Sequence, residues 1–344
     1  MNTSELFGEL RAIVHQPPSA VLWSELCSLI GDVLPDVFVD TISPYLEEHL
    51  SGWGEDVRVA PASWVSRSVA GEDVPQLYFT TMELDVSALS DDAPEPDVAT
   101  LIEHYMHPYF RGLRALRAHR VELAGELFAR MCDTPTFERL EVLDVTGAGL
   151  GAEGARALAQ SKHLKHLREV RIGWCNLEGA GALALANSHI VRAWETLDIE
   201  GNGIQEAEAM RLLRNPHFVN LRDLKLGWND IGDGGMKVLA EEAVFTEQLV
   251  GLGLENNSIG DPGVQALLSS PRTRSVRELD LYNNELTDAS ARVIAECPYI
   301  VGVEDMDLSE NHFTALGRDT LLASKTLHPD IIERVSTWFL REGG

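Results

Sequence analysis

The chain has 344 residues, 44% of them hydrophobic, enough to fill a core and to speak against wholesale disorder. Its 54 acids against 28 bases leave a formal charge of −26. That balance argues against nucleic acid and against an anionic membrane surface, and leaves a basic protein or a cation as open partners.

The first residues, "MNTSELFGELRAIVHQPP", hold no sustained apolar run, and no run is long enough to span a bilayer, so neither a secretory leader nor a membrane helix is expected. Cys27, Cys132, Cys175 and Cys297 lie without metal-ligand or disulfide-framework spacing. The expected setting is therefore cytoplasmic, with the thiols reduced. Residues 1 to about 90 read as mainly helical in "SELFGELRAIV", "SAVLWSELCSLIGDVL" and "DVFVDTISPYLEEHL", with Trp23, Trp53 and Trp64 as core. "ALSDDAPEPDVAT" from Ala88 is an acidic, Pro-rich loop or linker, and "VATLIEHYMHPYF" a helix leading out of it. His104 and His107 stand three apart on that helix, without a third ligand at suitable spacing, so no metal is assigned.

From Leu140 onward the chain repeats. "LEVLDVTGAGL" at Leu140, "LREVRIGWCNL" at Leu167, "WETLDIEGNGI" at Trp194, "LRDLKLGWNDI" at Leu221, "LVGLGLENNSI" at Leu249, "VRELDLYNNEL" at Val276 and "VEDMDLSENHF" at Val303 follow at spacings of 27 and, once, 28 residues. A weaker copy, "LRALRAHRVEL", starts at Leu113. The shared pattern is LxxLxLxxNxL. Its alternating apolar pair predicts a short strand, and runs such as "GARALAQ", "MKVLAEEA", "VQALLSS" and "ARVIAEC" predict a helix behind each strand. "GDPG" at Gly260 predicts Asp261 as a helix N-cap with Pro262 opening the helix. The ninth position, Asn in five of the seven clear copies and Cys175 in one, is read as a buried structural site where the side chain bonds the turning backbone.

These repeats resemble the leucine-rich repeats of the ribonuclease-inhibitor class, over roughly residues 113 to 325. The resemblance implies an α/β solenoid, a horseshoe with a parallel sheet on its concave side and helices on its convex side. Residues 1–112 would form a mainly helical N-terminal cap, residues 113–325 about eight repeats, and residues 326–344, with "HPDIIERVSTWFL", a C-terminal helical cap. It further implies protein binding on the concave face, without catalysis or cofactor. The same class includes the Ran GTPase-activating proteins, so a regulator of a small GTPase is an alternative; a structural subunit of a larger assembly is another. No P-loop, dinucleotide fingerprint, HExxH or nucleophile elbow occurs, so no catalytic residues are assigned.

Pleating turns the third, fifth, seventh and eighth residues of each unit to the concave side. Over the seven clear units these positions hold eleven acids and two bases. Arg171 falls between Asp144 and Asp198 of adjacent strands, Lys225 has Asp198 on one side, and both can pair with these acids. Glu278 and Asp280 should face Asp305 and Asp307, like charge against like charge with no base between, which solvent screens or a cationic partner neutralises. Trp174 and Trp228 share the eighth position, about 10 Å apart across two strands, with Gly201 between them. They either shield bare backbone or form a binding pair that Tyr282 extends. The candidate partner site is thus Trp174, Trp228, Tyr282, Glu278, Asp280, Asp305 and Asp307.

Overall fold

The computed structural model describes residues 3–50 and 125–337 without a break. Between these it describes 52, 53, 58, 61, 63, 64, 67, 72, 74–79, 83–85, 106, 112–120 and 123. The loop expected from Ala88, and His104 and His107 with all of their helix except Met106, lie outside the described residues.

Among the described residues, nine parallel strands form one sheet in which spatial order equals sequence order. They are β1 (Glu83–Asp85), β2 (Ala115–Arg117), β3 (Val142–Asp144), β4 (Glu169–Arg171), β5 (Thr196–Asp198), β6 (Asp223–Lys225), β7 (Gly251–Gly253), β8 (Glu278–Asp280) and β9 (Asp305–Asp307). Each strand is three residues long because only three residues per repeat are free of turn chemistry. A parallel neighbour needs a crossover, and a helix supplies it in every unit from β2 onward. The expected α/β solenoid is what the structure shows. One strand was not expected. β1 lies in the stretch read as mainly helical and pairs in register with β2, Leu84 opposite Leu116. Its repeat is the more divergent one, 32 residues before the next, so the 27-residue period does not reveal it.

The middle residue of each strand from β2 to β9 points into the core. Leu116, Leu143, Val170, Leu197, Leu224, Leu252, Leu279 and Met306 are all buried and stand opposite one another in register. Behind them lie the crossover helices, among them Gly151–Gln160, Glu178–Ala186, Gly232–Glu241 and Asp288–Glu296. Trp194, Phe218 and Phe245 form a row between them, Trp194 tilted against Phe218 and Phe218 edge to face with Phe245, with ring centroids 6.3 and 5.9 Å apart.

Two polar ladders hold the repeats in line. At the ninth position, Asn202 accepts from the N–H groups of Cys175 and Leu177 at 3.0 and 3.1 Å. Its amide donates to the carbonyls of Ile172, Ile199 and Glu200. Asn229, Asn257, Asn284 and Asn311 repeat the scheme. Buried backbone groups must find partners, and one Asn satisfies up to five of them between two units. Cys175, without an amide, donates its thiol to the Val145 carbonyl at 3.1 Å. At the far end of the helices a second ladder runs through Ser161, Ser188, Asn215, Ser270, Cys297 and Ser324. Each donates to a carbonyl of the preceding repeat. Asp261 is not the N-cap of its helix. Gly260 holds that place, and the Asp261 carboxylate reaches one repeat onward to accept from the N–H groups of Thr287 and Ser290 at 2.9 and 3.2 Å.

At the N-terminal end, helices Thr3–Val14, Ala20–Ile30 and Ser43–His49 pack around Trp23, Trp53 and Trp64, all buried as expected. At the other end, helix Pro329–Thr337 packs on β9 and the preceding helix, with Ile331 and Val335 buried. No helix of the described residues is long and apolar enough to cross a membrane.

Candidate functional site

The eighth position of every repeat from Arg120 to Glu310 has left-handed backbone. Arg120, Gly147, Trp174, Gly201, Trp228, Asn256, Asn283 and Glu310 have φ between 48 and 74°. Gly adopts this region freely and Asn does so with little cost, which accounts for four of the eight. A bulky aromatic residue there is an outlier costing roughly 1–2 kcal/mol. Trp174 (φ 56°) and Trp228 (φ 55°) are two such outliers. They are 51% and 49% exposed, so the strain is not repaid by burial.

Gly201 brings the two indoles together. It stands between them in the ladder, and a Cβ there would lie 2.6 Å from Cε2 and Cε3 of Trp174. With no Cβ, the Trp174 ring leans across the glycine. Its centroid comes to 5.7 Å from that of Trp228, with the rings tilted by 50°, where strand spacing alone would hold them about 10 Å apart. Aromatic pairs favour such tilted geometries. Tyr282 is two strands beyond Trp228, part-buried, and makes no ring contact with the pair.

One position earlier the same device recurs with carboxylates. Glu200, Gly227 and Glu255 hold the seventh places of three successive repeats. Glu255 lies so close over Gly227 that no Cβ could fit there, which brings its charge to bear on Glu200. Burial, then the charges of Asp198 and Glu255, pushes the Glu200 carboxyl up to about 7. Lys225 stands beside these acids and lowers the shift, yet among the described residues it closes no ion pair with them. The sequence held the signal, a glycine between two glutamates at 27- and 28-residue spacing. It went unread because the register alone places the glutamates two strands apart.

The acidic end differs from expectation in two ways. Glu278 faces Asp305 and Asp280 faces Asp307 in register, as expected. But a base does stand there: Arg334, from the C-terminal helix, pairs with Asp305 at 2.6 Å and donates to the Met306 carbonyl. Asp280 and Asp307 also have local work. Each accepts the N–H two residues on, from Tyr282 at 2.8 Å and Ser309 at 2.9 Å, and Asp144 and Asp198 do the same in their repeats. These Asx turns fix the chain as it leaves the strand. Burial, followed by Glu255, Asp307 and Asp305, pushes the Asp280 carboxyl up to about 6. Glu278 remains exposed. A hollow of about 350 Å³ lies over β6 to β9 between these acids, Lys225 and Arg334, floored by Gly251 and Gly253. At the opposite end Arg171 pairs with Glu169 of its own strand and approaches Asp144 of the adjacent strand at 3.8 Å, so only one of its two expected lateral partners, Asp144 and not Asp198, is in ion-pair range.

Cys175 is wholly buried and burial pushes its thiol pKa up, so it is a packed structural residue.

A family model described as "Leucine Rich repeat" matches residues 140–159, 163–186 and 219–240. Ribonuclease inhibitor of Sus scrofa is 33% identical over 141 residues, 39% of this chain and 30% of that protein, so the chain matches less than a third of that relative's length. Among solved structures, an internalin from Listeria monocytogenes is similar with a TM-score of 0.28 at 14% identity, over 62% of this chain and 79% of that one. The TLR13–ssRNA13 complex gives 0.37 at 15% identity, over 62% and 35%. The yeast Rad7–Elc1 complex gives 0.33 at 12% identity, over 85% and 78%.

Proposed function

We propose that this leucine-rich-repeat solenoid, built of ribonuclease-inhibitor-like repeats, is a non-catalytic module that holds a partner protein on its concave face. The observation that carries the reading is the Trp174–Trp228 pair. Two bulky residues occupy left-handed backbone and are half exposed, and unrepaid strain of this kind clusters at functional sites. Trp is over-represented among residues that dominate binding energy. Around the pair, Glu200, Glu255, Glu278 and Asp280 make the face acidic, which suits a partner with a basic surface. Asp305 is partly neutralised by Arg334 and contributes less. Residues 1–112 and 326–344 act as caps of the array, and the setting is cytoplasmic.

The test begins with affinity purification from the native cell, with the partner identified by mass spectrometry. Trp228→Ala should then weaken the complex by about 2 kcal/mol or more, in the range of interface hot spots. Glu278→Lys, which leaves the Asx turns intact, should slow association and flatten its salt dependence. Wild-type binding by both folded variants would move the site to the convex helices or to the N-terminal region.

A further inference from the structure

Away from the concave face, two histidines of adjacent repeats meet nitrogen to nitrogen. His189 follows the helix Glu178–Ala186, and His217 follows the next one, Glu206–Leu213. Nδ1 of His189 lies 2.7 Å from Nε2 of His217, with ring centroids 4.3 Å apart and the planes at 62°. The polar ladder at this end of the helices holds them there. Asn215 donates to the carbonyl of Ser188, the residue before His189, at 3.1 Å, and accepts the N–H of His217 at 2.9 Å. One asparagine side chain therefore ties both backbones. His15 and His49 also approach each other, at 5.4 Å between centroids, but there Nδ1 of His49 contacts the Tyr45 carbonyl at 2.8 Å.

A hydrogen bond between two imidazole nitrogens needs one of them bare, so one lone pair already points into the contact. A metal ion needs both bare. The donating ring reaches that state by moving its proton to its outer nitrogen, a change of tautomer without a change of charge. His189 is exposed and His217 part-buried, which leaves the rings room to turn both lone pairs onto one ion. Geometry then selects the ion. With metal–nitrogen bonds of about 2.0–2.1 Å, the nitrogen separation of 2.7 Å subtends roughly 80–85° at the metal. That lies near the right angle between neighbouring ligands of square-planar and octahedral ions, and well short of the tetrahedral angle that Zn²⁺ favours. Among the described residues no group of three or more His, Cys, Asp or Glu side chains converges on a metal position. The remaining coordination positions therefore belong to water or to donors from outside the chain.

We propose that His189 and His217 form a two-histidine clamp for a divalent transition-metal ion of right-angled coordination, Ni²⁺ or Cu²⁺. The clamp goes beyond the concave-face reading and does not depend on it.

The probe is Ni²⁺ alone, titrated into the full chain while the imidazole resonances are followed by NMR. His189→Gln and His217→Gln assign the two rings, and His166→Gln assigns an exposed histidine outside the pair. Ni²⁺ should shift or broaden the His189 and His217 resonances together, before that of His166. Either His189→Gln or His217→Gln should weaken binding roughly a hundredfold, because the second nitrogen is no longer held beside the first. His166→Gln should leave the affinity unchanged. Saturating Ni²⁺ should raise the melting temperature of wild type and of neither clamp variant, since only the folded chain brings the rings together. If the pair responds no sooner than His166, or if either clamp variant binds as wild type does, the ion is held adventitiously by single histidines and the proposal falls. A lower melting temperature in His217→Gln, with no effect of Ni²⁺ on wild type, would make the contact structural and also overturn it. Zn²⁺ binding as tightly as Ni²⁺ would overturn the assignment to right-angled ions.

Discussion

The indole of Trp174 lies across Gly201, in space that any Cβ would fill at 2.6 Å from the ring. The glycine therefore serves two ends, its own left-handed backbone at φ 61° and the approach of its neighbour's ring to Trp228. Gly201→Ala should cost about 1–2 kcal/mol for the backbone alone. It should also part the indoles, removing the coupled-indole band from circular dichroism. An unchanged band would mean that the rings do not depend on the glycine.

Trp228→Asn places at this position the residue that Asn256 and Asn283 supply in later repeats. Relief of left-handed strain opposes the loss of one aromatic contact, so stability should change by less than about 1 kcal/mol. Chemical denaturation measures this. A loss above about 3 kcal/mol would make Trp228 a structural residue and remove the strain argument for binding.

Glu200 gives a pH dependence with a definite sign. In the fold its carboxyl keeps a proton up to about 7, against 4.5 for a free glutamate. Between those values the folded state binds more protons than the unfolded one, so this group's contribution to stability falls as pH rises. Glu200 is part-buried, and solvent screening reduces the effect to about 1 kcal/mol. Glu200→Gln should flatten that part of the stability profile and stabilise the protein at about pH 8. Parallel wild-type and variant profiles would contradict the raised pKa of Glu200.

Asn202 carries five hydrogen bonds between two repeats. Asn202→Ala leaves buried N–H and C=O groups without partners and should cost about 3 kcal/mol or more. That would match or exceed many core truncations such as Leu224→Ala, expected at roughly 2–5 kcal/mol. Melting of both variants beside wild type decides the order.

Cys175 should resist thiol reagents in the native protein and react only on unfolding, since its sulfur is buried and hydrogen-bonded to Val145. Rapid native labelling would place it at the surface.

The sequence by itself determined the register. A period of 27 to 28 residues, with apolar positions two apart, sets which residues stand opposite one another in a parallel sheet. The buried row from Leu143 to Met306, the asparagine ladder and the alignment of Trp174 with Gly201 and Trp228 were therefore legible in it. What only the tertiary structure decided is where side chains go once the register is set. The indoles converge, and Glu255 lies over Gly227, because left-handed turns and bare glycines let side chains lean sideways towards the neighbouring strand. Arg334 reaches Asp305 because the last helix folds back on β9, a packing relation that no periodicity encodes. β1 joins the sheet from a divergent repeat, where backbone pairing with β2 supplies the register that the 27-residue period does not. Periodicity fixes the lattice of the solenoid; the contacts across its inner face depend on which lattice points are left empty.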